Sequence, residues 1–209
     1  MLLTGCRWCL MLWWLKARRA HTLLPASYGV FVGLVLLLQG VVADLPSFLA
    51  GGDNPVVATL MAPVPLYAAL LVSLESRLHA AEDTGTRLVR GMDVGLVVAV
   101  VVAAALAGFV IGSLLESASA LAVGRNNAFL VGLMLSMRPL VGARAVMIPV
   151  VWLLAVMLFG FDHGHPYFWS VLPRANSDPI ALAAAAVALA AGLTCQLTLR
   201  PRADSPSVS

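Results

Sequence analysis

Charge is scarce in this chain: 13 Lys and Arg and 10 Asp and Glu make up 11% of 209 residues, against 61% apolar residues. So few charged side chains cannot cover a soluble domain with that much apolar surface, and a mean hydropathy of +0.94 belongs to chains that live in lipid. Cysteine is scarce too, three in all, which excludes a disulfide-rich scaffold. No GxxxxGK[ST] string occurs, so the chain cannot bind a nucleotide in P-loop fashion, and GxSxG, HExxH and EF-hand strings are missing as well. No apolar run carries the series of Asp, Glu and His that a proton-coupled pump would use; Asp93 and Glu116 sit at run edges. Lys occurs once against twelve Arg. These basic residues are scattered between apolar stretches rather than gathered on one face, which marks a topology signal and not a nucleic-acid partner.

What is there in abundance is long apolar sequence. Runs fit for spanning lie at Leu23–Val42, Pro55–Leu74, Val94–Leu115, Asn126–Val141, Ala145–Phe161 and Pro179–Leu199. They are unbroken, not alternating, so the expected fold class is an all-α integral membrane protein with six transmembrane helices. The fourth run is short, preceded by Arg125, Asn126 and Asn127 and followed by Arg138. Two alternatives stay open for it: a short, irregular or re-entrant helix, or a span that begins near Ser117 and holds Arg125 inside the membrane.

With the N-terminus in the cytoplasm, Arg7, Lys16, Arg18, Arg19, Arg77, Arg87, Arg90, Arg138, Arg144, Arg200 and Arg202 fall inside, and only Arg125 and Arg174 outside. Six spans then place both termini in the cytoplasm of a multi-pass cell-membrane protein, and residues 200–209 form a disordered cytoplasmic tail. The run Trp8–Leu15 is too short to span, and its positive charges, Lys16, Arg18 and Arg19, follow it where a secretory signal would have them in front. With Trp8, Trp13 and Trp14 beside those charges, residues 1–20 are expected to form a cytoplasmic interfacial amphipathic helix.

Several residues could carry chemistry. Cys6 and Cys9 form a CxxC, but zinc needs about four ligands, Cys195 lies in the last span, and His21 is the sole imidazole nearby, so no metal is assigned. Leu3, Thr4, Gly5 and Cys6 mimic a lipoprotein cleavage box without the basic start and longer apolar stretch that one needs. Asp162, His163 and His165, in FDHGHPYFW, form an external loop whose polar groups face water beside the interfacial Tyr167, Phe168 and Trp169; no catalytic residue is assigned to it. Arg125, Asn126, Asn127 and Arg138 are candidates for a translocation path, because polar groups in lipid are costly. The alternative is that the two Arg snorkel to opposite membrane faces, 13 residues and about 20 Å apart. Pro55, Pro63, Pro65 and Pro149 can kink their spans, and Gly108 and Gly112 form a GxxxG suited to close helix contact.

The segment from Glu75 to Asp93, ESRLHAAEDTGTRLVRGMD, interleaves both signs of charge and is the one cytoplasmic surface large enough to dock a soluble partner. Within it, Glu82 followed by Gly85 and Thr86 in AEDTGTRL resembles the coupling loop of ABC-2 type ABC exporter permeases. So does the whole layout of interfacial helix, six spans, inside termini and charged loop between spans two and three. The string GRNNAFLVGLMLSMRPLVG at 124–142 is similar to small actinobacterial membrane proteins described as ABC-transporter-like. The Pro-containing segment that usually follows Gly-Thr in that family is replaced here by Arg87, Arg90 and Gly91.

The resemblance implies a non-enzymatic permease subunit. Glu75, Arg77, Glu82, Asp83, Gly85, Thr86, Arg87 and Arg90 would form the ATPase-coupling loop, contacting a separately encoded ABC ATPase that holds the ATP and Mg. The chain itself would carry no cofactor and would pair with a second copy or a second permease. A self-contained transporter or channel, a non-transporting accessory subunit, and an enzyme using Asp162, His163 and His165 are the competing functions.

Overall fold

The structure, a computed structural model, describes residues 20–46, 53–76, 86–162 and 165–199. The interfacial helix expected within residues 1–20, with Cys6 and Cys9, and the tail at 200–209 lie outside these residues, save for Ala20. Six α-helices and two short antiparallel ribbons make up the described chain. Helix α1 runs Ala20–Leu38 and turns at Gly40, whose φ of 76° suits a residue without Cβ. Strands β1 (Val42–Pro46) and β2 (Asp53–Val57) then pair with Val42 opposite Val57 and Asp44 opposite Pro55. A 3-10 turn, Ala58–Met61, leads into α2 (Val64–Glu75). Helix α3 is Thr86–Leu114, α4 Ala118–Val141, and after a 3-10 turn at Gly142–Val146 come α5 (Met147–Phe159), the two-residue strands β3 (Phe161–Asp162) and β4 (His165–Pro166), and α6 (Pro179–Thr198).

Five helical stretches are long and apolar enough to cross a membrane: Ala20–Leu38, Ala58–Glu75, Gly91–Leu114, Ala118–Phe159 and Pro179–Thr198. Their outer faces are apolar: Leu106 and Phe109 on α3, Val151 on α5 and Val187 on α6 are each about 60% exposed or more. A water-soluble surface would not carry so many large apolar side chains, and the helices fit a multi-pass membrane protein.

Two expected boundaries are corrected. The second run, expected from Pro55, does not start as a helix: Pro55 sits in β2, Pro63 is the N-cap of α2, and Pro65 lies in its first turn, where a missing N–H leaves no bond unmade. Pro149 likewise falls in the first turn of α5 and does not kink it. The third run was expected to begin at Val94, but α3 begins at Thr86, so the second half of the charged loop is helical.

Of the two alternatives left open for the fourth run, the structure has the start near Ser117: α4 begins at Ala118. Glu116 takes a left-handed φ of 51°, and the Ser117 N–H donates to the Gly112 carbonyl at 2.9 Å, a closure that ends α3 in a single turn. Ser117, extended at φ −96° and ψ 108°, then caps α4 by accepting from the Ala120 N–H. Only three residues separate α3 from α4, which forces the two helices into a tight antiparallel hairpin. Gly108 and Gly112 lie against Ala120 and Leu121 across it, so the GxxxG does make a close contact.

Helix α4 is the centre of the protein. It buries 14 of its 24 residues, whereas α1 buries 4 of 19 and α6 buries 4 of 20. Its main neighbours are α6 and α3, while α1 packs on α2. The core joins Phe31 and Val35 of α1, Leu66 to Leu74 of α2, Val97 and Ala104 of α3, Leu130 to Leu135 of α4, and Leu153 and Val156 of α5. Tyr28 Oη donates to the Ala103 carbonyl at 3.0 Å and pins α1 to α3.

The closest approach of α4 to α6 is at Gly132 and Gly192. A Cβ on Gly132 would collide with the backbone of Ala188 and Leu189, and one on Gly192 would lie 2.6 Å from the Gly132 carbonyl oxygen. Gly33, in α1, has nothing within 4 Å of the same position. Gly132→Val should therefore lower stability by about 1–3 kcal/mol in detergent thermal unfolding, with Gly33→Val close to wild type.

Candidate functional site

At one end of α4 two consecutive residues, Arg125 and Asn126, are buried to 7% and 3% exposure. Burial deprives a guanidinium of water, so its N–H groups must find oxygen within the protein. Arg125 finds it in the loop before α6: Nη1 donates to the Ala175 carbonyl at 2.6 Å, and Nη2 to the carbonyls of Arg174 at 2.9 Å and Leu172 at 3.3 Å. Its Nε and Nη2 also reach Asn126 Oδ1, at 3.3 and 3.2 Å, while Asn126 Nδ2 donates to the Leu172 carbonyl at 3.1 Å. One charge and one amide thus hold a loop that has no regular structure of its own.

A second Arg completes the clamp. Arg174 Nη1 donates to Asp178 Oδ2 at 2.7 Å, and Nη2 to the Tyr167 carbonyl at 3.4 Å. Asp178 Oδ1 accepts from the Ile180 N–H at 2.9 Å and caps α6, whose first residue is Pro179. The hydrogen bond from Arg174, then that from Ile180, hold the Asp178 carboxyl below its ordinary pKa. The loop is closed from the other side by Tyr167 N–H to the Gly160 carbonyl at 2.9 Å, and Tyr167 stacks on Trp169, which meets Trp152 edge-on with centroids 6.0 Å apart.

Between this loop, the 3-10 turn before α2 and the first turns of α4 lies a cavity of about 600 Å³. Asn126, Arg174, Asn176, Ser119 and Thr59 give it a polar wall, and Leu60, Val123, Phe161 and Leu172 an apolar one. Thr59 Oγ1 donates to the Leu38 carbonyl at 2.9 Å, which ties this wall to the end of α1.

The opposite end of α4 carries Arg138, 1% exposed. Its Nε donates to Glu75 Oε1 at 2.7 Å and its Nη2 to the Leu74 carbonyl at 3.0 Å. Glu75 is the last residue of α2, so the pair stands at the root of the 76–85 segment. Asp93, on α3, is also fully buried. Next to Asn126, Asn127 has 0% exposure and neither amide atom meets a partner among the described residues.

The residues expected to form one translocation path are therefore divided. Asn126 lines the cavity with Arg125 behind it, Asn127 points away about a quarter-turn round α4, and Arg138 is at the other end, joined instead to Glu75 from the charged loop. Both Arg are buried and bonded to oxygen atoms of the protein, Arg125 to carbonyls of the loop before α6 and Arg138 to Glu75 and the Leu74 carbonyl. Arg125 and Arg174 share one end, opposite Arg138.

Arg77, Glu82, Asp83, Gly85 and His163 lie outside the described residues. Thr86, Arg87 and Arg90 contribute backbone to α3 and Asp162 to β3, while His165 is exposed in β4. Among the described residues no group of three or more His, Cys, Asp or Glu converges as a metal site. Sequence reasoning missed Arg174, Asn176 and Asp178; the Asp-Pro pair that starts α6 was the available signal. Compared with family models, curated proteins and solved structures, the chain matches none.

Two outcomes follow from the clamp. Arg125→Ala strips the carbonyls of Arg174 and Ala175 of their Arg125 donor and leaves that of Leu172 to Asn126 alone, so opening of residues 170–178 becomes easier by about 1–3 kcal/mol, read as faster amide exchange there and unchanged exchange near Arg138. Because the folded pKa of Asp178 is lowered, its contribution is complete above the ordinary Asp pKa of about 4 and is lost as pH falls through the folded value. Exchange in the loop should accordingly rise on acidification in the wild type, and Asp178→Asn should remove that dependence.

Proposed function

We propose that this chain is the membrane-spanning permease subunit of an ABC-type exporter. A separate ATPase would bind the loop around Glu82, Gly85 and Thr86, and its ATP-driven closure would be passed to the membrane domain. One observation supports the reading: a single central helix bears a buried arginine toward each end, one bonded to Glu75 at the root of the 76–85 segment and the other bonded behind the wall of a cavity at the far face. Force on the 76–85 segment reaches Glu75, Arg138 and α4 in turn, and α4 carries Asn126 into the cavity wall.

In this reading there are six spans. The 42 residues from Ala118 to Phe159 would measure about 63 Å as one straight helix, twice the bilayer core, and they are broken at Gly142, where φ is 59°. Helices α4 and α5 then each cross, both termini face the cytoplasm of a cell-membrane protein, and the cavity opens outside. Two permease chains, identical or related, would enclose the path.

Glu82→Arg tests the coupling. The tagged wild-type protein should co-purify from mild detergent with an ATP-hydrolysing subunit, and the variant should lose it by about tenfold or more. An ATPase-free oligomer that moves solute in liposomes on its own would replace this reading with that of a self-contained transporter.

A further inference from the structure

We propose that the cavity walled by Asn126 and Arg174 binds an amphiphilic anion, a molecule with a phosphate or carboxylate head and an apolar body. Its volume, about 600 Å³, is that of a small-molecule site. The hydrogen-bonding balance of its wall sets the head group. Arg125 consumes the acceptors of this region, taking the carbonyls of Leu172, Arg174 and Ala175 and the oxygen of Asn126. What remains is rich in donors: Arg174 Nε has no partner among the described residues, and the first turn of α4, Ala118 and Ser119, faces the cavity with its helix N-terminus.

Charge points the same way. Arg174 is the sole ionisable side chain among the described residues lining the cavity, and Asp178 offsets it. Arg125 is left with neutral acceptors alone, so the clamp holds one positive charge in excess at low dielectric, which an anion relieves. The apolar body follows from Leu60, Val123, Phe161 and Leu172 on the facing wall, and from the aromatic residues that flank it at the membrane interface, where Phe168 is 80% exposed.

The site stands on the membrane location of the chain and not on ATPase coupling, so loss of either reading leaves the other to be judged by its own experiment. The full chain in phosphatidylcholine nanodiscs is titrated with dodecyl phosphate, dodecyl maltoside and dodecyltrimethylammonium. Dodecyl phosphate should bind saturably and the other two at least about tenfold more weakly. Arg174→Gln should abolish that preference. Ala118→Trp, which fills the cavity from an exposed helix end and leaves the clamp intact, should abolish saturable binding even if Arg174→Gln fails to fold. Competition by phosphatidylglycerol added to the nanodisc would identify a lipid head group as the natural source of the anion, and its absence a soluble amphiphile. Equal binding of the three chains, or dodecyl phosphate binding that survives Ala118→Trp, would overturn the proposal.

Discussion

A guanidinium that cannot reach water must be supplied with oxygen atoms, and in this protein that requirement organises both ends of one helix. Arg125 gathers four acceptors, three of them backbone carbonyls from a loop some fifty residues further along the chain. Arg138 takes one carboxylate and one carbonyl at the end of α2. In hydrocarbon, where apolar surfaces gain nothing by meeting each other, such bonds and close small-residue contacts are what hold helices together. Helix α4 uses both: arginines at its ends, glycine in its middle. The loop at 167–177 is held by Arg125 and Arg174, and the cavity lies between that loop and the first turns of α4.

The helical character and most of the apolar runs were legible in the sequence, because unbroken hydropathy is a property of each segment by itself. Alternation into β1 and β2 was hidden by the apolar Val56, Val57 and Ala58 that follow Pro55, which read as the start of a helix. The fourth span was ambiguous for a sound reason: Arg125, Asn126 and Asn127 interrupt the hydropathy in the middle of what is a regular helix, and hydropathy carries no term for carbonyls supplied by a distant loop. Of the two alternatives, the start near Ser117 matches the structure, and Ser117 is itself an N-cap type of residue that pointed there.

The candidate site was legible only in part. Arg125, Asn126 and Arg138 stand out as costly residues in any reading, yet their partners do not. Glu75 belonged, on sequence, to a solvated loop, and its pairing with a residue 63 positions away is a tertiary fact. Hydropathy alone also gave no sign that the acceptors for both guanidinium groups would come from other segments of the chain.

Helix α4 is about 36 Å long, and its tightest contact, Gly132 against α6, lies just past its midpoint. A rigid rod held near its middle and fastened on either side of that point behaves as a seesaw. A tilt of about 10° about that pivot moves Arg125 and Arg138, about 10 and 9 Å from it along the axis, by about 2 Å each, in opposite directions. The two glycines that let the helices touch thereby also define a fulcrum, one on which a small displacement at the Glu75 end becomes a comparable change in the width of the cavity.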